Sequence, residues 1–207
     1  MSDRFKNKYR NDSTRLKNWD YGWNAPYFIT ICTQNREYFF GEVQDGMMVL
    51  NDIGHIVHSE WLKTFEMRPD MNLSMGEFVV MPNHFHAIIG IGPNEYNTQR
   101  DTQRGRDAMH CVPTTTMHCV PTTTIDTNDA NDTNENSKNK FGPQSKNLAS
   151  IIRGFKIGVT KNARLINPGF AWQSRYHDHI IRNDESFYRI SEYIINNPMK
   201  WSADKFR

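Results

Sequence analysis

Hydrophobic and polar residues along this chain follow two periods, and the switches between them divide it into elements. Residues 27–33, Tyr-Phe-Ile-Thr-Ile-Cys-Thr, are dense in aromatic and β-branched side chains and predict a strand. Over 51–65 the apolar positions Ile53, Ile56, Val57, Trp61 and Phe65 recur at helical spacing, with Asn51 or Asp52 available as a cap. Residues 73–81 and 84–91 read as two further strands, with Pro82-Asn83 as the turn between them. A helix follows over 145–165, a strand-like segment over 170–181, and a last helix over 184–197 that Pro198 closes. The order β-α-β-β-α-β-α predicts an α+β fold. It is the ferredoxin-like split βαβ plan: an antiparallel sheet with helices on one face, plus a C-terminal helix.

One stretch does not fit that plan. Residues 92–140 are rich in Thr, Asn and Asp and contain the tandem repeat MHCVPTTT at 109–116 and 117–124. A segment of this composition buries too little apolar surface to offset its ordering entropy, so a low-complexity loop insert is expected there. The pairs His110/Cys111 and His118/Cys119 lack the spacing of a zinc site, and duplication accounts for them more simply. The expected organisation is a basic leader over 1–20 and one domain over 21–207, interrupted by the insert.

Composition narrows the class. No apolar run approaches the roughly 18 to 20 residues that span a bilayer, and the polar, basic N-terminus is unlike a secretory signal, so a cytoplasmic protein is expected. The three cysteines do not suggest a disulfide framework. The net charge of +2 hides an uneven distribution: +3 over 1–25, −5 over 26–91, −4 over 92–136 and +8 over 137–207. Basic ends around an acidic middle suggest a polyanionic partner gripped mainly by the C-terminal part; a solvated basic helix face is the plainer alternative.

Two patterns are chemically suggestive. His84-Phe85-His86 opens a predicted strand, where side chains alternate, so both imidazoles share one face and can hold a divalent ion together. On the last helix Tyr193 and Asn197 are four residues apart, presenting a phenol and an amide one above the other beside the apolar stripe of Phe187, Ile190 and Ile194. Taken singly, each is also an ordinary feature of a strand or of a helix end.

Together they carry a resemblance. MPNHFHAIIGI at 81–91, SKNLASIIRGFK at 145–156 and WQSRYHDHIIRNDESFYRISEYIINNP at 172–198 resemble the REP-associated tyrosine transposases, in the single-tyrosine group of the His-hydrophobic-His nucleases. The likeness runs over most of 20–91 and 141–205. It implies Tyr193 as the nucleophile, His84 and His86 as metal ligands, and Asn197 as the third ligand where related transposases often have Gln. It further implies cleavage and rejoining of single-stranded DNA at hairpin-forming repeats, through a 5′-phosphotyrosine intermediate and with a divalent cofactor. Two imidazoles and an amide suit a borderline ion such as Mn²⁺, whereas the resemblance implies Mg²⁺. The absence of a GxxxxGK[ST] loop agrees with chemistry that conserves bond energy and needs no ATP.

For DNA binding the candidates are Arg153, Lys156 and Lys161 on the basic helix, with Arg175 and Arg182 flanking Tyr176-His177-Asp178-His179. Members of the group act as monomers or as homodimers, and both remain open here. The rival readings are a catalytically silent DNA-binding protein acting on its own repeats, a replication or mobilisation nuclease of the same superfamily, and a metal-binding ferredoxin-like module. The first lacks a vacant catalytic position, the second needs more chain, and the third leaves the C-terminal charge unexplained.

Overall fold

The computed structural model describes residue 16, residues 19–101 and 145–206, and two pairs of two-residue strands, 4–5 with 8–9 and 111–112 with 118–119. The main sheet has four antiparallel strands: β1 (Ala25–Cys32), β4 (Leu73–Met81), β5 (His84–Ile91) and β6 (His177–Ile180), in the order β6-β1-β5-β4. Between β1 and the first helix the chain makes a hairpin of β2 (Gly41–Gln44) and β3 (Met47–Leu50). The helices are α1 (Asp52–Glu66), α2 (Glu95–Asp101), α3 (Leu148–Ala163) and α4 (Asp184–Ile195). This is the ferredoxin-like α+β plan, with a hairpin added between its first strand and first helix.

Each helix begins where a short polar side chain can satisfy an otherwise orphan amide. Asn51 accepts from the Gly54 N–H, Asn147 from the Ser150 N–H in a reciprocal capping box, and Asn183 from the Ser186 N–H. The helix expected over 145–165 therefore starts at Leu148, after its cap. The extra hairpin has an Asp-Gly signal: Asp45 (φ 50°) and Gly46 (φ 74°) both take positive φ, as the tightest right-twisted hairpin turn requires.

Alternation in the strands sends side chains to two separate cores. Phe85, Ala87, Ile89 and Ile91 of β5 join Tyr27, Ile29 and Ile31 of β1 under α1 and α3, where Ile152, Phe155 and Val159 complete the larger core. Trp61 of α1 is fully buried there, its ring edge-on to Phe65, Phe85 and Phe155 at 5.0–5.3 Å. At Gly54 a Cβ would lie 2.2 Å from the Phe40 carbonyl, so glycine lets α1 sit against the chain that enters the hairpin. On the opposite face Ile88 packs with Ile181 and Ile194, and with the partly buried Phe28, Val79, Phe187 and Ile190, beneath α4. The sheet thus carries α1 and α3 on one side and the C-terminal helix on the other. Trp61→Ala is expected to cost about 3–5 kcal/mol of folding stability, measured by chemical denaturation, because aromatic packing is lost and a cavity is left.

Two expected boundaries shift. The strand-like segment 170–181 is broken: Trp172 makes an isolated bridge to Thr33, regular pairing resumes only at His177, and residues 174–176 lie between. The insert expected from residue 92 opens with α2, anchored by Asn94 and Asn97, whose side-chain amides donate to the Gly92 carbonyl and also reach Met71 and Gly22. Most of the expected insert, including most of its repeat, and most of the expected leader lie outside the described residues.

Candidate active site

Residues of β5 with even numbers face α4, so the alternation that buries Phe85 on one side brings His84 and His86 together on the other. Their ring centroids are 4.5 Å apart, and the two residues are 0% and 1% exposed. Register places Thr30 of β1 opposite His86, and its Oγ1 lies 2.8 Å from His86 Nδ1. Phe28 stacks on the His86 ring at 5.3 Å. From α4, the Tyr193 hydroxyl lies 3.3 Å from His86 Nε2, and its ring meets Phe28 edge-on at 6.2 Å. Tyr193 is 37% exposed, so its phenol stands at the mouth of a buried pair.

The tautomer of His84 follows from its neighbour. The Asn83 side-chain NH₂ donates to the carbonyls of Arg36 and Phe206, which leaves Asn83 Oδ1 as an acceptor 2.8 Å from His84 Nδ1. Nδ1 therefore carries the proton, and Nε2 presents a bare lone pair. That Nε2 is buried without a hydrogen-bond partner, and so is Oδ1 of Asn197, which is itself only 2% exposed. Buried acceptors left unsatisfied are costly, and two of them in one site fit a cation.

A carboxylate joins the cluster from the last residues described. The 3₁₀ turn Pro198–Ala203 folds the chain back, and Asp204 Oδ2 comes to 3.8 Å from His84 Nε2. Ligand atoms of His84, His86 and Asp204 all lie within 4.8 Å of one another. The segment is held down at several points: Asp204 Oδ1 accepts from the Phe206 N–H, Arg36 donates to the Lys205 carbonyl, and Phe206 packs at 4.9 Å from the His84 ring. Sequence reasoning did not find Asp204, because a lone acidic residue after a proline-led turn carries no periodic signal.

Electrostatics suit metal binding. Burial lowers the pKa of His84 to about 4 against the pull of Asp204, and burial together with the neighbouring His84 lowers that of His86. Both rings are thus neutral, as ligands must be. Burial, followed by the negative charge of Asp204, raises the pKa of Tyr193. A phenol held above its ordinary value is a weak nucleophile unless positive charge is brought beside it. Asn197 lies near enough to influence the protonation of both His84 and Tyr193.

Of the expected site residues, His84, His86, Tyr193 and Asn197 converge. Arg153, Lys156 and Lys161 do not, because α3 lies on the other face of the sheet. Lys156 is already engaged, its ammonium donating to the carbonyls of Gln173 (2.5 Å) and Ser174 (3.4 Å). Arg175 is exposed beside the break before β6. Arg182 is exposed where β6 passes into α4, lining a second cleft with His179 and Arg189.

Over 194 residues the chain is 34% identical to an uncharacterized protein of Haemophilus influenzae, covering 93% of this chain and 91% of that protein. The chain belongs to that protein's family. The two proteins align over nearly their whole lengths. A scan against protein-family models matches none. Among solved structures, the chain is similar to a REP-associated tyrosine transposase bound to a REP hairpin, with a TM-score of 0.50 and 16% sequence identity. That alignment covers 93% of this chain and 77% of the other, and at such identity it establishes a shared fold. Among the described residues no helix is long and apolar enough to cross a membrane.

Proposed function

We propose that this protein is a metal-dependent, single-tyrosine transposase of the REP-associated type, which cleaves and rejoins single-stranded DNA at hairpin-forming repeats. The observation that carries the reading is a half-exposed phenol 3.3 Å from a buried, neutral imidazole, with two further buried acceptors unsatisfied beside it. A structural histidine cluster has no need of unsatisfied atoms or of an exposed tyrosine at its mouth. The solved relative in fold was captured on a REP hairpin, which supports DNA as the partner.

In this reading His84 Nε2, His86 and Asn197 would hold a divalent ion, Mg²⁺ or Mn²⁺, and Asp204 stands where it could complete the shell. An ion bound there would supply positive charge to offset the charge developing on the scissile phosphate. Everything else falls to the chain. Asn83 fixes the His84 tautomer, Thr30 orients His86, and Phe28 meets the Tyr193 ring edge to face, which holds the phenol beside His86. Tyr193 Oη bonds to phosphorus as the bond to O3′ breaks. The phenolic proton passes to solvent and the departing O3′ takes one up, leaving a 5′-phosphotyrosine and a free 3′-hydroxyl. Attack by a 3′-hydroxyl on that ester reverses the step and joins a new end, with no external energy source.

Arg175 and Arg182 frame the approach along β6, whose residues His177 and His179 pair with Thr30 and Phe28. Cleavage of a labelled hairpin oligonucleotide with a single-stranded flank is expected in Mg²⁺ or Mn²⁺, with a covalent protein–DNA adduct retained on a denaturing gel, and neither is expected in EDTA. Hairpin binding without adduct in either metal would instead favour a DNA-binding protein without chemistry.

A further inference from the structure

A sizeable cavity lies away from the tyrosine. A groove of about 730 Å³ runs along the outer side of α3, closed by the broken segment 171–176. Its floor is apolar: Ile152, the indole of Trp172 and the ring of Tyr176, with Ile157 standing 61% exposed at the edge. Its rim is cationic, from Arg153, Lys161 and Arg164, and none of the described residues lining it is acidic. The groove is built rather than incidental. Lys156 ties α3 to the carbonyls of residues 173 and 174, and Arg164 Nε donates to the Phe170 carbonyl at 3.0 Å, so two of the four basic side chains hold its walls apart at a set width. The volume lies within the roughly 300–1,000 Å³ range of sites that enclose a small molecule.

We infer that this groove binds unpaired nucleotides of a DNA strand, with a base against Ile157, Trp172 and Tyr176 and the flanking phosphates on Arg153 and Lys161. Two features favour a single strand over a duplex. A duplex presents phosphates on a convex surface and keeps its bases inside, so an apolar hollow gains nothing from it. An unpaired base offers a flat face to the hollow while its backbone meets the rim. Trp172 is 9% exposed, so it offers the groove a ring edge while the rest of the indole packs on Phe155 and Phe170.

Position adds a consequence. Trp172 and Phe155 belong to the core under α1 and α3, whereas Tyr193 stands on the opposite face. A strand that fills the groove and also reaches the phenol must pass round the sheet edge formed by residues 174–176 and β6, where Arg175 is exposed. The groove would then be a second anchor, separate from the chemistry, that holds a substrate's single-stranded arm. This inference rests on the strand-cleavage reading for its substrate, but not for its geometry.

Lys161 and Ile157 are exposed, so Lys161→Glu and Ile157→Glu are expected to leave the melting curve unchanged. With full-length protein and fluorescein-labelled oligo(dT), each should weaken binding by about tenfold, the scale of one stacked base. Lys161→Ala should reduce the salt slope of log K by about 0.7, as for one single-strand phosphate contact. Binding of a blunt-ended hairpin should change less than about twofold. Oligo(dT) bearing 5-iodouracil should photocrosslink to the peptide carrying Trp172 or Tyr176. Unchanged oligo(dT) affinity, equal losses for strand and blunt hairpin, or displacement by a polyglutamate peptide but not by oligo(dT) would each overturn the groove assignment. If the Tyr193 adduct still forms in those samples, strand cleavage survives that failure. Groove-dependent oligo(dT) binding by wild-type protein that forms no adduct would keep the groove and sink the cleavage reading.

Discussion

Tyr193→Phe is expected to remove the covalent protein–DNA adduct and lower strand cleavage by at least about three orders of magnitude, as deletion of a nucleophile does elsewhere. The substitution removes one oxygen. The ring keeps its edge contact with Phe28, and the hydroxyl has His86 as its neighbour on a partly exposed residue, so folding and hairpin affinity should stay close to wild type. The readout is a denaturing gel of labelled strand incubated with protein and Mn²⁺. The measurement is sharp because another phenol stands on the same helix: Tyr188 is 65% exposed and has no histidine described beside it. An adduct that persists in Tyr193→Phe and maps to Tyr188 would overturn the assignment.

His84→Ala is expected to weaken Mn²⁺ binding by more than about 100-fold and to abolish cleavage, while hairpin affinity changes little. Asn83→Ala should weaken the metal by about 10–100-fold although Asn83 donates no ligand atom, because its Oδ1 keeps the proton on His84 Nδ1 and so leaves Nε2 bare. Titration calorimetry with Mn²⁺ measures both. If Asn83→Ala binds the ion as tightly as wild type, the tautomer argument fails. If His84→Ala loses hairpin binding in step with metal, the histidines brace the fold and are not ligands. Asp204→Asn completes the series. A loss of metal affinity comparable to that of His84→Ala would make the carboxylate a ligand; wild-type affinity would leave the shell to His84, His86 and Asn197.

Charge alone was a poor guide to this site. The basic excess of the last seventy residues pointed towards nucleic acid, yet the part of it carried by α3 does not lie around Tyr193. Lys156 is consumed in joining α3 to residues 173–174, and Arg153 and Lys161 face the opposite side of the sheet. Along a helix, charge shows only that one face is wet. Which face of the protein that becomes depends on how the helix docks.

The alternation in residues 84–91 and the helical spacing in 51–65 and 145–165 were sufficient, as local patterns, for the element order and the ferredoxin-like plan. They put His84 and His86 on one face because strand geometry has period two. Local pattern likewise set Tyr193 one turn before Asn197. What it could not decide was whether those two pairs meet, since the strand and helix carrying them are separated by about a hundred residues and join only when α4 covers the face of the sheet that α1 and α3 leave open. The hairpin at 41–50 was announced by Asp45-Gly46, a local signal that a coarse reading passes over. Asp204 was announced by nothing: it reaches His84 only because the 3₁₀ turn after Pro198 folds back, and Asn83, Arg36 and the backbone at 205–206 hold it there. Periodicity is a property of neighbours in the chain and is legible in sequence; the site is assembled from contacts between distant segments, and only packing fixes those.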